Sequence, residues 1–169
     1  MALKAGLISA DEFSSMTKLA KKSPQAKGAA LAPSFPYPDD SFIDTGTTHY
    51  NALKGLSRSP MNLKGNEEHY DQVYLFHHVS LHHPELYELM HATPNAGKRT
   101  KRERGHVLSE GLRKGYPDIS VDMPAHQYHG LRCELKTAKR SYSAVSEDQW
   151  GWLHKLQNQG YYCMIAFGF

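Results

Sequence analysis

Pro117-Asp118-Ile119-Ser120-Val121 and Leu131-Arg132-Cys133-Glu134-Leu135-Lys136 are the stretches whose period decides the fold. Successive side chains of a strand point to opposite faces. Leu131, Cys133 and Leu135 therefore share one face of the second stretch, and Arg132, Glu134 and Lys136 the other. In the first stretch the same rule sets Asp118 and Ser120 against Ile119 and Val121. The polar segment from Pro124 to Gly130 joins the two as an antiparallel hairpin. In the natural register Asp118 and Glu134 fall on one face, with Lys136 two residues along. Two carboxylates and an ammonium on one sheet face are costly unless a cation or solvent compensates. Carboxylates are also the hard oxygen ligands that Mg²⁺ accepts. Periodicity by itself equally allows an ordinary polar strand face turned to water.

Working outward, Ser146-Glu147-Asp148-Gln149 is a capping-box pattern that opens a helix through Asn158, closed by Gly160. Tyr161 to Phe167 follows as an apolar strand, continuous enough to be interior to a sheet. Upstream, Asn66 is a plausible N-cap with Glu67 and Glu68 in the first turn. Tyr70, Val73, Tyr74, His77 and Leu81 then recur at the helical period, and the helix should end before His83-Pro84. Leu86 to Thr93 fits either a helix or an extended chain. A further helix is expected from Lys101 to Glu110, stopped by Gly111. Helices and strands alternate as α, β, α, β-β, α, β, which makes this an α/β chain with a mixed sheet flanked by helices.

Residues 1–62 read differently. Ser23 to Pro60 holds five of the nine prolines and no sustained hydrophobic period. This region is expected to be a weakly ordered arm or linker, with a short helix over Ala10 to Lys22 and a fold that begins in residues 63–169. The chain has 169 residues, 40 % hydrophobic and 22 % charged, enough for one core with an appendage. A mean hydropathy of −0.60 and the lack of any apolar run near 18 residues argue against a membrane span. No N-terminal apolar stretch resembles a secretory signal, so a cytoplasmic location is expected. Cys133 and Cys163 are too few for a disulfide scaffold and alternate onto apolar strand faces, as buried thiols do.

The net charge is +3, unevenly spread. Lys98, Arg99, Lys101, Arg102, Arg104, Arg113 and Lys114 face only Glu103 and Glu110, so Pro94 to Lys114 carries +5 and the remainder −2. A local cluster of this kind suits a polyanion held at one place, or simply a solvated helix. His77-His78 and His82-His83 raise the question of zinc. Zinc ligands come with His-x3-His spacing or with cysteines nearby, and neither cysteine is close in sequence, so zinc is not favoured. Trp150, Trp152 and Leu156 are read as packing residues.

Pro117-Asp118 followed by Glu134-Leu135-Lys136 resembles the PD-(D/E)xK nuclease signature, and the surrounding chain resembles its VRR-Nuc (virus-type replication-repair nuclease) branch. Pro94-Asn95-Ala96-Gly97-Lys98-Arg99 is similar to that branch's PNGGxR loop, with alanine in place of the first glycine. Gly111 to Asp118 matches its GxxxGxPD segment, Gln149 and Trp152 its QxxW, and Gly160-Tyr161 its GY. Glu68 with Gln72 fits the helix that carries an additional glutamate and glutamine; Glu67 is the close alternative, and the four-residue spacing to Gln72 favours Glu68. The resemblance runs from about Glu67 to Phe167, while residues 1–62 have no counterpart in it.

The resemblance implies a restriction-endonuclease-like αβββαβ core. It implies a DNA endonuclease dependent on Mg²⁺ or Mn²⁺, acting on Holliday junctions or other branched DNA as a homodimer, in the host cytoplasm if the source is viral. Asp118 and Glu134 would be metal ligands, with the Leu135 carbonyl as a third and Glu68 completing the shell. Lys136 would orient or deprotonate the attacking water; as a base it needs a lowered pKa. Gln149 would either assist at the site or serve only as a helix cap. Asn95, Lys98, Arg99, Lys101, Arg102, Arg104, Arg113 and Lys114 would grip the phosphate backbone. A flap or nicking nuclease and a non-catalytic DNA-binding module are the alternatives. A pure binder gains nothing from carboxylates that face phosphate.

Overall fold

The hairpin register expected from the two-residue period is the one the chain adopts. In the computed structural model, which describes residues 35–94 and 100–168, β2 (Ile119–Val121) pairs antiparallel with β3 (Leu131–Lys136) so that Ile119 lies opposite Cys133 and Ser120 opposite Arg132. Continued by one residue, the register sets Asp118 beside Glu134. The ambiguous stretch after His83 divides in two. Pro84 opens a one-turn helix, and the chain then extends as Met90–Ala92, antiparallel to β2. That strand is β1, and β4 (Tyr162–Phe167) runs parallel to β3, which gives one mixed sheet in the order β1-β2-β3-β4.

Four longer helices accompany the sheet: α1 (Thr48–Arg58), α2 (Glu67–His82), α4 (Lys101–Ser109) and α5 (Glu147–Asn158), with the short Pro84–Glu88 helix as α3. One sheet face, through Ile119 and Cys133, packs on Phe76 of α2 with Met164 and Ala166 alongside. The other presents Cys163 and Ile165 to Leu153 of α5. β4 is therefore apolar along its length because both its faces are covered. It is an edge strand among the described residues, not the interior strand expected, since an apolar run reports covered faces and says nothing of a paired edge.

The arm also departs from expectation. The proposed helix over Ala10 to Lys22 lies outside the described residues. From Phe35 onward the chain is helical and packed, with a 3₁₀ turn at Asp39–Phe42, α1, and a second 3₁₀ turn at Pro60–Leu63. Tyr37, Leu53 and Leu56 close over Tyr74 of α2, flanked by Phe35, Leu63, Tyr70 and Val73. Leu53 and Leu56 are essentially inaccessible to solvent. Removing this segment would strip one side of α2 and expose several large side chains, each worth about 1.5–3 kcal/mol of burial. That sum rivals the whole stability of a domain. A fragment that starts at Asn62 is accordingly expected to lose cooperative thermal unfolding, which circular dichroism melts would reveal.

No helix among the described residues is long and apolar enough to cross a membrane. Asn66 caps α2 by position only, because its side-chain amide donates to the Asn62 carbonyl at 2.8 Å.

Candidate active site

Asp118 stands immediately before β2, and Glu134 to Lys136 are the last residues of β3, so the polar face ends at one corner of the sheet. It does not face water. Asp118 is 4 % exposed, Glu134 0 % and Lys136 8 %. The Lys136 ammonium donates to Glu134 Oε1 at 2.5 Å. The Leu135 amide donates to Asp118 Oδ2 at 2.9 Å, which fixes the Asp118 carboxylate across the hairpin through a backbone group that no Leu135 substitution except proline removes.

Gln149 is a helix cap that also reaches the Glu134 carboxylate. Its Oε1 accepts from the Ser146 amide at 2.8 Å while the Ser146 hydroxyl accepts from the Gln149 amide, completing the capping box. Its Nε2 donates to Glu134 Oε1. Glu134 Oε1 thus takes two donors, whereas the buried Oε2 meets none among the described residues.

Burial, with the neighbouring Asp118 carboxylate, pushes the Glu134 pKa up to about 8, against a partly opposing effect of Lys136. For Lys136, burial favours the neutral amine, but the bond to Glu134 and the charges of Glu134, Glu68 and Asp118 outweigh it and raise the pKa. Lys136 is therefore an ammonium in this arrangement, without the lowered pKa that a general base needs. Glu68, half-buried in the first turn of α2, has its pKa raised by burial and by Asp118 and is held in the opposite sense by Lys136 and Arg140. It belongs electrostatically to this corner. Glu67 is also only partly exposed, and bonds to its own and the Gly65 backbone lower its pKa. The structure therefore brings Glu68, Asp118, Glu134, Lys136 and Gln149 together.

The glycine before Tyr116-Pro117-Asp118 has a steric origin. At Gly115 φ is +76°, and a Cβ would lie 2.6 Å from Asp148 Cβ and 2.9 Å from the Gln149 amide nitrogen. The loop thus lies directly against the first turn of α5, where Trp152 donates its indole N–H to the Lys114 carbonyl at 3.1 Å and meets Tyr116 edge-on. Gly115→Ala is expected to cost about 2 kcal/mol or more, through backbone strain plus the overlap. Gly111→Ala, where φ is also positive but nothing lies within 4 Å, should incur the strain alone. Denaturant unfolding of the two variants checks the difference.

The basic residues divide. Asn95, Lys98 and Arg99 lie outside the described residues, and Lys101 is described only by its backbone at the start of α4. Arg102 and Arg104 are exposed on α4, capped by Thr100 and Glu103 in a reciprocal box, and Arg113 is exposed in the loop that follows. Lys114 is exposed too, but its ammonium sits 2.6 Å from Asp148 Oδ2. Two cations went unread in the sequence. Lys139 and Arg140 are exposed just beyond β3, and their charges reach Glu67 and Glu68 respectively. Their place in Glu134-Leu135-Lys136-Thr137-Ala138-Lys139-Arg140 was the available signal. Cys133 and Cys163 are buried as expected. Burial raises their thiol pKa values to about 12 and about 11, which leaves them unreactive.

No protein-family model matches the chain, and no curated protein does. Among solved structures the chain is similar to a VRR_NUC domain protein. The two are 26 % identical, the match covers 60 % of this chain and 77 % of that one, and the TM-score is 0.51. The mixed four-stranded sheet with flanking helices is thus a VRR-Nuc-like α/β fold.

Proposed function

We propose that the protein is a metal-dependent DNA endonuclease that hydrolyses phosphodiester bonds, preferring branched DNA such as a four-way junction and acting as a homodimer. The observation that carries the chemistry is the buried Glu134 carboxyl. One oxygen is held by Lys136 and Gln149, the other meets no donor among the described residues, and Asp118 stands beside it. A buried carboxylate so placed is stabilised by a cation, and two carboxylates with a backbone carbonyl match what Mg²⁺ or Mn²⁺ takes. Asp118, Glu134 and the Leu135 carbonyl would hold the ion, with Glu68 adding to its shell. When bound, such an ion supplies an acidified water and neutralises phosphate oxygens.

The remaining roles fall to the chain's own residues. Lys136, held as an ammonium, offsets the charge gathering on the scissile phosphate. Gln149 orients Glu134 from the end of α5. Arg102, Arg104 and Arg113, with Lys98, Arg99 and Lys101, bind the backbone without reading sequence. Lys114 does so after exchanging Asp148 for phosphate. The likeness to a VRR_NUC domain protein supports the nuclease class.

Proton and metal should compete at Glu134. Its ordinary pKa of 4.5 stands at about 8 in the folded chain. Between those values the folded state keeps a proton that the unfolded state has released, so this group makes stability fall as pH rises through the window. A bound divalent ion displaces that proton. Mn²⁺ should therefore raise the melting temperature more at pH 8.5 than at pH 6, and calorimetry in buffers of different ionisation enthalpy should show proton release at pH 6.5. To test the function itself, labelled four-way junction, flap, nicked and linear duplexes are incubated with the protein and Mg²⁺, Mn²⁺ or EDTA. The expected result is metal-dependent cleavage, fastest on the junction.

A further inference from the structure

α2 carries a second cluster, remote from the corner just described. His78 and His82 are four residues apart on one helix face, with ring centroids 4.4 Å apart. Both rings converge on a carboxylate from the 3₁₀ turn at Asp39–Phe42. His78 Nδ1 lies 2.9 Å and His82 Nε2 3.0 Å from Asp40 Oδ2. His78 stands ten residues beyond Glu68, about 15 Å along the helix axis.

We propose that Asp40, His78 and His82 form a zinc site that fastens the Asp39–Phe42 turn to α2. His-x3-His on a helix is a chelating pair, because consecutive turns present both rings to one ion. The three ligand atoms lie within 4.8 Å of one another. Zinc bonds of 2.0–2.1 Å in a tetrahedron imply ligand separations of roughly 3.3 Å, so the nitrogen–oxygen distances need to open by only a few tenths of an ångström. Two imidazoles with a single carboxylate suit Zn²⁺ and not Mg²⁺, which takes oxygen.

The carboxylate is aimed in advance. Asp40 Oδ1 accepts the Tyr74 hydroxyl at 2.6 Å, and the Asp40 carbonyl is bonded by Nε2 of the fully buried His77 at 2.9 Å. Partners of this kind orient ligands and raise metal affinity. The His82 side chain is 43 % exposed and that of His78 33 %, so the ion enters from solvent and a water completes its shell. The absence of nearby cysteines, which argued against zinc in the sequence, loses its force once Asp40 supplies the third ligand from 38 residues upstream.

The test uses the full chain without an affinity tag, carrying Asp118→Asn and Glu134→Gln so that the other carboxylates cannot compete. Zn²⁺ is titrated by calorimetry and counted by atomic absorption after dialysis, and Co²⁺ is added separately as a visible-absorption probe. The expected result is one Zn²⁺ per chain, a higher melting temperature, and a Co²⁺ spectrum of four-coordinate type. His82→Ala, at an exposed position that leaves the fold intact, should weaken binding by at least the 10–100-fold typical of losing an outer-shell partner. His82→Cys should retain it. No zinc retained at micromolar concentration, or binding unchanged in His82→Ala, would overturn the site and leave Asp40 as a hydrogen-bonded clamp. Neither outcome bears on cleavage at Asp118 and Glu134.

Discussion

Glu134→Gln is expected to abolish phosphodiester cleavage, by about 10³-fold or more, while leaving the metal-free protein at least as stable as the parent at pH 8.5. The two halves of this result have one cause. Glu134 is fully buried beside Asp118, and its pKa of about 8 shows that the ionised form is disfavoured there. Gln removes that charge but keeps an oxygen for the Lys136 and Gln149 donors, and its amide can donate toward Asp118. The variant therefore loses the proposed cation ligand and relieves a like-charge contact. Thermal melts with and without Mn²⁺ separate the effects, because the parent should be stabilised by the metal and the variant should not. A fall in metal-free stability of several degrees at pH 8.5 would make Glu134 a structural ion-pair residue instead.

Lys136→Met should lose about 10²–10⁴-fold in cleavage, the range typical of a positioned acid, base or charge. Lys136→Arg discriminates among its roles, because a guanidinium keeps the positive charge and cannot act as a base. The raised Lys136 pKa favours the charged role, so Arg should recover part of the activity that Met loses. Stability should respond to pH in a particular way. With its counter-ion gone, Glu134 holds its proton to still higher pH. The Met variant should match the parent below pH 7, where Glu134 is already neutral, and fall behind it above pH 8. Single-turnover cleavage at several pH values and parallel melts provide both readings.

The hairpin and its polar face were legible because alternation is local. Once Ile119 and Cys133 are assigned inward, Asp118 and Glu134 have no other face to occupy. α5 was equally legible, since its capping box is written in four consecutive residues. Gln149 was harder, for its amide works in two directions and only the tertiary contact with Glu134 reveals the second. The segment from Phe35 to Leu63 misled because its prolines interrupt any long period, and Leu53 and Leu56 acquire meaning only against Tyr74. Long-range partners are invisible to periodicity. Asp40 is coupled to His78 and His82 across 38 and 42 residues, and no local pattern marks it as their partner. The edge position of β4 was hidden for a related reason, as burial of both faces and pairing of both edges leave the same apolar run.

The central claim is that Asp118 and Glu134 hold the divalent ion on which cleavage depends. The most direct measurement is an anomalous difference map from crystals equilibrated with Mn²⁺, collected near the manganese edge. The account predicts a peak about 2 Å from carboxylate oxygens of both Asp118 and Glu134, absent from crystals of Glu134→Gln. A map with no density at these carboxylates at saturating Mn²⁺, or with manganese at another position only, would contradict it.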